Sequence, residues 1–233
     1  MSDQPDGVKP LVALTIDGKP VQVPRGTTIW EAALEAGIEI PALCHSPRLR
    51  PVGVCRLCVV DIGERVLVAS CLRPCEEGME VLASSPEVEG HRKRLTALLM
   101  SDYHQDHSVE KGRAISSGED LLLTLAERYG PENPYPKGRH DRPRQDLSSQ
   151  VIAVNHQLCI LCDRCIRACD EVQCNHIIGR TGKGNAARIA FDLDLPMGTS
   201  GCVSCGECMA VCPTAALTNK RPGASPRPGG KEA

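Results

Sequence analysis

Cysteine recurs in this chain at fixed intervals. Cys159-x2-Cys162-x2-Cys165-x3-Cys169 returns as Cys202-x2-Cys205-x2-Cys208-x3-Cys212. Each corner iron of a cubane takes one thiolate, so three cysteines at i, i+3 and i+6 of one tight loop suit a [4Fe–4S] cluster. In chains that carry the run twice, the fourth cysteine of each run serves the other cluster. The expected ligand sets are therefore Cys159, Cys162, Cys165 and Cys212 for one cubane, and Cys169, Cys202, Cys205 and Cys208 for the other. Pro213 follows Cys212, as the run prescribes, whereas Asp170 follows Cys169. Zinc takes four ligands and would leave cysteines over from such a pair of runs.

A different set stands nearer the N-terminus, Cys44-x10-Cys55-x2-Cys58-x12-Cys71. Three thiols from one loop and a fourth at a distant strand end suit a [2Fe–2S] rhomb, although the plant-type spacing is C-x4-C-x2-C. Gly53 and Gly63 either let the backbone approach that cluster or are ordinary turn glycines. Cys75 and Cys174 remain over and are read as buried or spare thiols. His45, beside Cys44, is read as a neighbour of the cluster or a surface residue. His104 and His107 lack a third metal-ligand pattern and are read as surface side chains, and no role is assigned to His91, His140, His156 or His176.

The elements that must position these thiols are legible in outline, and the fold class is α+β. Val8–Ile16 and Lys19–Val23 are β-rich runs joined by Asp17-Gly18, a hairpin signal. Thr27 or Thr28 caps a helix with Ile29, Ala32, Ala33 and Ala36 on one face, and Gly37 stands where it would stop. After the cysteine loop, strands are expected at Cys58–Ile62, Arg65–Ser70 and Met79–Ala83, the order of a β-grasp. Val88, Leu95, Leu98, Leu99 and Met100 recur at helical spacing, and Leu121–Tyr129 gives a second helix before Gly130-Pro131. The expected domains are a β-grasp over 8–84, a helical connector over 86–146, a two-cluster domain over 147–219 and a disordered tail over 220–233. Within the connector, 131–146 is rich in Pro, Arg and Asp and reads as a linker. Gly179-Arg180-Thr181-Gly182-Lys183-Gly184 fits neither the P-loop nor the dinucleotide fingerprint and is read as the loop between the two cubane halves. No flavin or nicotinamide site is argued.

Composition narrows the function classes. Aromatics are 2% of the chain, so something other than large rings must organise much of the interior. The N-terminus has neither a basic start nor an apolar stretch, and no apolar run is long enough to span a bilayer. Cysteine without an export signal points to metal rather than disulfides and to the cytoplasm. Lys+Arg 27 against Asp+Glu 29 gives no sign of nucleic-acid binding. Twelve thiolates and three oxidised cores of about +2 each would take the holoprotein to roughly −8, which favours basic docking faces on partners.

With these residues in place, the chain resembles the iron–sulfur diaphorase subunit of NAD-linked [NiFe] hydrogenases. The same module forms the N-terminal iron–sulfur part of the complex I large subunit, of NAD-dependent formate dehydrogenase and of [FeFe] hydrogenase. Pro41-Ala42-Leu43-Cys44, Gly53-x-Cys55-Arg56-x-Cys58 and Cys71-x6-Gly78-Met79 carry the likeness in the [2Fe–2S] part. The stretches from Cys159 to Gln173 and from Cys202 to Cys208 carry it in the ferredoxin part. The resemblance implies an electron-transfer subunit of a hetero-oligomeric oxidoreductase complex, with one [2Fe–2S] and two [4Fe–4S] clusters and no catalytic residue of its own. Its implied partners are a flavin-containing diaphorase subunit and a hydrogenase or molybdopterin catalytic subunit, such as a formate dehydrogenase, with no membrane insertion. The chain stops soon after the second ferredoxin half, so substrate chemistry is expected in partner subunits. It departs from the family in one respect. Relatives carry a further [4Fe–4S] cluster on one histidine and three cysteines, but no cysteine lies between Cys75 and Cys159. Tyr103 falls where that histidine belongs and His107 where the first cysteine belongs, so residues 86–130 are expected to keep the scaffold without the cluster. Two alternatives stand beside this reading: a succinate-dehydrogenase-type iron–sulfur subunit, opposed by the two intact runs, and a cluster-based redox sensor, for which no DNA-binding helix pair or basic face speaks.

Overall fold

The computed structural model describes residues 9–103, 120–130 and 145–220. His104, His107, His140, most of the expected linker and nearly all of the expected tail lie outside the described residues. The chain divides into two compact units: the described residues up to His45 with Pro51–Leu95, and Ser46–Arg50 with Thr96 onward.

The first unit is a β-grasp. β1 (Leu11–Ile16) and β2 (Lys19–Pro24) pair antiparallel, Ile16 opposite Lys19. Asp17 (φ 47°) and Gly18 (φ 76°) both sit in the left-handed region, which a two-residue turn of this twist requires. Asp17 does more than turn the chain. Its carboxylate accepts the Ala83 N–H at 2.7 Å and the Ser84 hydroxyl at 2.8 Å. This anchors the residues after β5 (Glu80–Val81), which pairs parallel to β1.

Thr28 caps α1 (Ile29–Glu35): its hydroxyl oxygen accepts the Glu31 N–H, and the Glu31 carboxylate accepts the Thr28 N–H at 2.8 Å. Ile29, Ala32 and Ala33 turn into the core against Val12, Leu14, Ile16 and Val81. The expected strands after the cysteine loop shorten to β3 (Val59–Val60) and β4 (Val68–Ala69), antiparallel partners. Between them Gly63 (φ 77°) donates its N–H to Asp61 at 2.8 Å, so it is a turn glycine. Gly53 (φ 64°) answers to a close approach, because a Cβ there would lie 2.5 Å from Leu72 Cδ1.

α2 (Pro86–Asp102) starts with Ser85 accepting the Val88 N–H through its hydroxyl oxygen and with proline in the first turn. In the second unit, Asp120 caps α3 (Leu121–Tyr129) by accepting the Leu122 and Leu123 amides, and Gly130 (φ 93°) ends it. The end of the expected linker is a strand, β6 (Gln145–Asp146), which joins β7 (Ile152–Asn155) and β10 (Leu217–Asn219) in an antiparallel sheet ordered β10-β7-β6. α4 (Arg164–Arg167) and α5 (Glu207–Val211) follow the two repeated cysteine loops. The basic glycine-rich stretch is not wholly a loop: β8 (Ile178–Thr181) pairs antiparallel with β9 (Arg188–Phe191), and Arg180 lies on it opposite Ile189. The core joins Ile152, Val154, Ile178, Ile189, Phe191, Met197 and Leu217 to Cys165, Cys169 and Cys208.

Candidate metal centres

The four N-terminal thiols converge in two close pairs. Cys58 Sγ lies 3.4 Å from Cys71 Sγ, and the Cys44 and Cys55 amides each point at the other's Sγ at 3.5 Å. The pairs also act on each other, since Cys58 helps push the Cys44 thiol up, and Cys44 and Cys55 help push Cys71 up. The Cys44 thiol, donating to Cys55, brings Cys55 down to about 5; burial opposes this, and the Leu57, Cys44 and Leu43 amides assist. Cys71 does the same for Cys58, lowered to about 7, with Ser70 assisting. Within each pair one sulfur readily gives up its proton and its partner resists, which is how two acids sharing one proton behave. Cys44, Cys58 and Cys71 are buried and Cys55 is partly exposed. Arg56 (φ 56°), between Cys55 and Cys58, is held by its guanidinium donating to the Leu67 carbonyl at 3.2 Å.

The repeated runs each enclose a cavity with about 330 Å³ of empty space, part of it open to solvent. One is lined by Cys159, Cys162, Cys165 and Cys212; the other by Cys169, Cys202, Cys205 and Cys208. Each cavity thus gathers three cysteines of one run and the last cysteine of the other. Both loops use the same backbone: Leu161 (φ 54°) matches Ser204 (φ 55°), and Asp163 (φ 61°) matches Gly206 (φ 84°). Burial pushes Cys162 and Cys208 each up to about 12, with neighbouring thiols adding to the rise. Burial also raises Cys165 strongly. A thiolate must gain a compensating cation to persist in such a place, so Cys162, Cys165 and Cys208 would ionise fully only with a metal bound, which fits the donor chemistry of a cluster.

The remaining candidates sort themselves by burial. Cys75 is buried in the first core and pushed up to about 11, chiefly by desolvation and then by Glu31 and Glu35. Cys174 is exposed, with φ 53°. His45 is not a surface residue: it is buried, its ring edge-on to Trp30 at 4.5 Å. Tyr103 is buried at the end of α2 and donates its hydroxyl to Asp120. Burial, and then Asp120, raises its pKa well above the usual phenol value.

Two arginines that motif reading passed over hold the ligand loops. Arg92, 1% exposed, donates to the Leu57 and Val59 carbonyls on either side of Cys58. Arg180 grips Asp163 and the Leu161 carbonyl around Cys162. No periodicity marks either one.

Comparison with known proteins fits this geometry. Residues 9–86 match the model of the 2Fe-2S iron-sulfur cluster binding domain, and residues 148–216 match the 4Fe-4S dicluster domain. The chain is 37% identical over 215 residues to the NADP-reducing hydrogenase subunit HndD of Solidesulfovibrio fructosivorans, covering 89% of this chain and 36% of that one. It is 31% identical over 217 residues to the mitochondrial NADH-ubiquinone oxidoreductase 78 kDa subunit of Neurospora crassa, covering 90% and 28%. The chain therefore spans about a third of the length of these relatives. A chain of the crystal structure of an NAD+-reducing [NiFe]-hydrogenase in the H2-reduced state superposes with a TM-score of 0.79 at 28% identity, covering 92% of this chain and 90% of that one. No helix among the described residues is long and apolar enough to cross a membrane. The chain carries a 2Fe-2S cluster binding domain followed by a 4Fe-4S dicluster domain, and over about nine-tenths of its length it is similar to subunits of NAD(P)-linked hydrogenases and of NADH-ubiquinone oxidoreductases.

Proposed function

We propose that this chain is a three-cluster relay of single electrons between a flavin-containing, NAD(H)-linked diaphorase subunit and a catalytic subunit, a hydrogenase or a molybdopterin enzyme. The observation that carries it is the pair of cavities, each lined by three cysteines of one run and the fourth of the other. The residues that would hold the groups are Cys44, Cys55, Cys58 and Cys71 for one [2Fe–2S] cluster. Cys159, Cys162, Cys165 and Cys212 would hold one [4Fe–4S] cluster, and Cys169, Cys202, Cys205 and Cys208 the other. When bound, such clusters supply one-electron carriers whose potentials follow charge, hydrogen bonding and solvent exposure.

The protein's share is to arrange and shield. The close pairs Cys44/Cys55 and Cys58/Cys71 suit one iron each of a two-iron group. The amides of Cys44, Cys55 and Ser204, each within 3.5 Å of a cysteine sulfur, are donors that stabilise sulfur-borne negative charge. Val60 and Ala69, buried in the same core as Cys58 and Cys71, keep water from one side of the first site, and Ile189 and Leu217 do so in the cavity bearing Cys159. The domains proposed are 8–84, 86–146 and 147–219, followed by a tail; the complex is hetero-oligomeric and the compartment the cytoplasm.

The test is iron and acid-labile sulfide per chain after anaerobic purification, with low-temperature EPR of the dithionite-reduced protein. About ten irons, one rhombic [2Fe–2S] signal and two interacting [4Fe–4S] signals are expected. About fourteen irons would restore a further cluster, and bound zinc with almost no iron would overturn the relay.

A further inference from the structure

The two repeated ligand loops share a backbone but not their surroundings. In each, the residues before and after the middle cysteine adopt left-handed φ: Leu161 and Asp163 around Cys162, Ser204 and Gly206 around Cys205. The second loop uses glycine for the later position, where that conformation is free of a Cβ penalty. The first loop uses Asp163, which needs support there. Arg180 supplies it from β8. Its Nε and Nη2 donate to the two Asp163 carboxylate oxygens, both at 2.7 Å, and Nη2 also donates to the Leu161 carbonyl at 2.6 Å. One planar guanidinium therefore holds both left-handed residues that flank Cys162. Because the Leu161–Cys162 peptide is planar and trans, fixing that carbonyl also fixes the direction of the Cys162 N–H.

Among the described residues, no side chain holds the second loop in this way. Glu207 is engaged instead by Arg48, and the Ser204 N–H turns to Cys202 Sγ at 3.4 Å. The middle ligands differ accordingly: Cys205 is exposed and Cys162 is not. Arg180 keeps 46% of its side chain in solvent, so Coulomb attraction to Asp163 is worth little. Its value lies in the fork, which fixes three acceptor positions at once.

We propose that Arg180 is a positioning residue that pre-forms the Cys159/Cys162/Cys165/Cys212 site, making the two cubane sites unequal in how firmly they retain iron. The Cys169/Cys202/Cys205/Cys208 site is the exchangeable one. This rests on the ligand sets proposed above.

The experiment follows iron release from the full, anaerobically loaded chain to a ferrous chelator, with EPR of samples frozen along the time course. Cys205→Ser, which weakens only the second site, tells the two cubane phases apart. The wild type is expected to lose the second cubane first. Arg180→Gln is expected to speed loss of the first by about tenfold, the usual scale for partners one step behind a metal ligand, with the second unchanged. Arg180→Lys keeps the charge without the fork and should fall between. Arg188→Gln, which breaks the neighbouring Arg188–Asp194 pair on the same hairpin, should match wild type. An Arg180→Gln chain that loads only the second cubane would also support the proposal. Unchanged release in Arg180→Gln, equal acceleration of both cubanes, full rescue by lysine or the same effect from Arg188→Gln would each overturn it. A wild type that starts without about ten irons would instead overturn the ligand sets themselves.

Discussion

Replacing Arg92 by methionine should cost the first unit about 3–5 kcal/mol. The side chain is buried to 1% exposure and spends its donors on four acceptors. Nε gives to the Leu57 carbonyl at 3.1 Å, Nη2 to the Val59 carbonyl at 3.0 Å, and Nη1 to the Ala83 carbonyl and the Glu89 carboxylate at 2.8 Å each. Methionine fills much of the space but donates nothing. Three backbone carbonyls then lose a partner in the interior, at about 1–3 kcal/mol each. The sum is discounted because neighbouring losses do not add and because carbonyls recover part of their bonding from relaxation or water. Apolar replacement of a whole buried ionic group can stabilise, but here only one member leaves and its acceptors stay behind. Lysine, with a single ammonium, cannot reach three carbonyls in a fixed fork and should recover less than half. The assay is anaerobic denaturant unfolding of the loaded chain, following bleaching of the [2Fe–2S] absorbance, which reports the unit that holds Cys58. A loss below about 1 kcal/mol at unchanged m-value would refute the reasoning, because the carbonyls would then be satisfied without Arg92.

Other expectations follow from the same structure. His91 is held below its ordinary pKa, first by burial and then by Arg94, Arg56 and Arg92. The unfolded chain therefore takes up its proton first as pH falls through about 6.5, so stability should drop between pH 7 and 5.5. In His91→Gln that slope should flatten, and an unaltered slope in the paired unfolding curves would count against this origin. A Cβ at Gly198 would stand 2.2 Å from the Ser148 carbonyl oxygen, so Gly198→Ala should cost about 1–3 kcal/mol in thermal or denaturant unfolding. Cys75→Ser should leave iron content unchanged, whereas Cys71→Ser should remove about two irons and the [2Fe–2S] EPR signal. Tyr103→Phe should cost about 1–2 kcal/mol through the lost bond to Asp120, and Tyr103→His should add no iron, as elemental analysis can check.

Local signals carried much of the fold. Asp17-Gly18 wrote the first hairpin, and Thr27-Thr28 the start of α1 to within one residue, because a turn and a cap are decided within a few residues. Strand lengths beyond the cysteine loop were less legible: Cys58–Ile62 and Arg65–Ser70 have β-rich composition, but only Val59–Val60 and Val68–Ala69 form ladder. Thiol packing takes over at Cys58 and Cys71, and propensity does not register that competition. The grouping of the repeated cysteines around two cavities was legible because their spacing reflects the size of the group a loop can enclose. The arginines were not. Arg92 and Arg180 act on carbonyls and a carboxylate brought close only by tertiary folding, at separations such as 35 residues for Arg92 and Leu57. His45 beside Cys44 gave no sign of being buried against Trp30, since that contact depends on α1 packing over the loop.

The two units also place their cysteines differently with respect to their cores. In the first, Ile16, Ile29, Val23, Val60 and Val81 form an aliphatic interior to which Cys58 and Cys71 are added. In the second, Cys165, Cys169 and Cys208 are core members, and Cys159, Cys202 and Cys212 pack against that core. Thiols buried at the centre, with pKa values raised by that burial, stay protonated and pack as small apolar groups that do not tie the interior together. Binding metal converts them into cross-links, and that binding free energy becomes folding free energy. Chelation should therefore unfold the second unit while leaving the first unit's hairpin and α1 hydrogen-bonded, which amide exchange before and after iron removal would resolve. Equal protection loss in both units would mean that the aliphatic core of the first depends on its cluster as much as the second does.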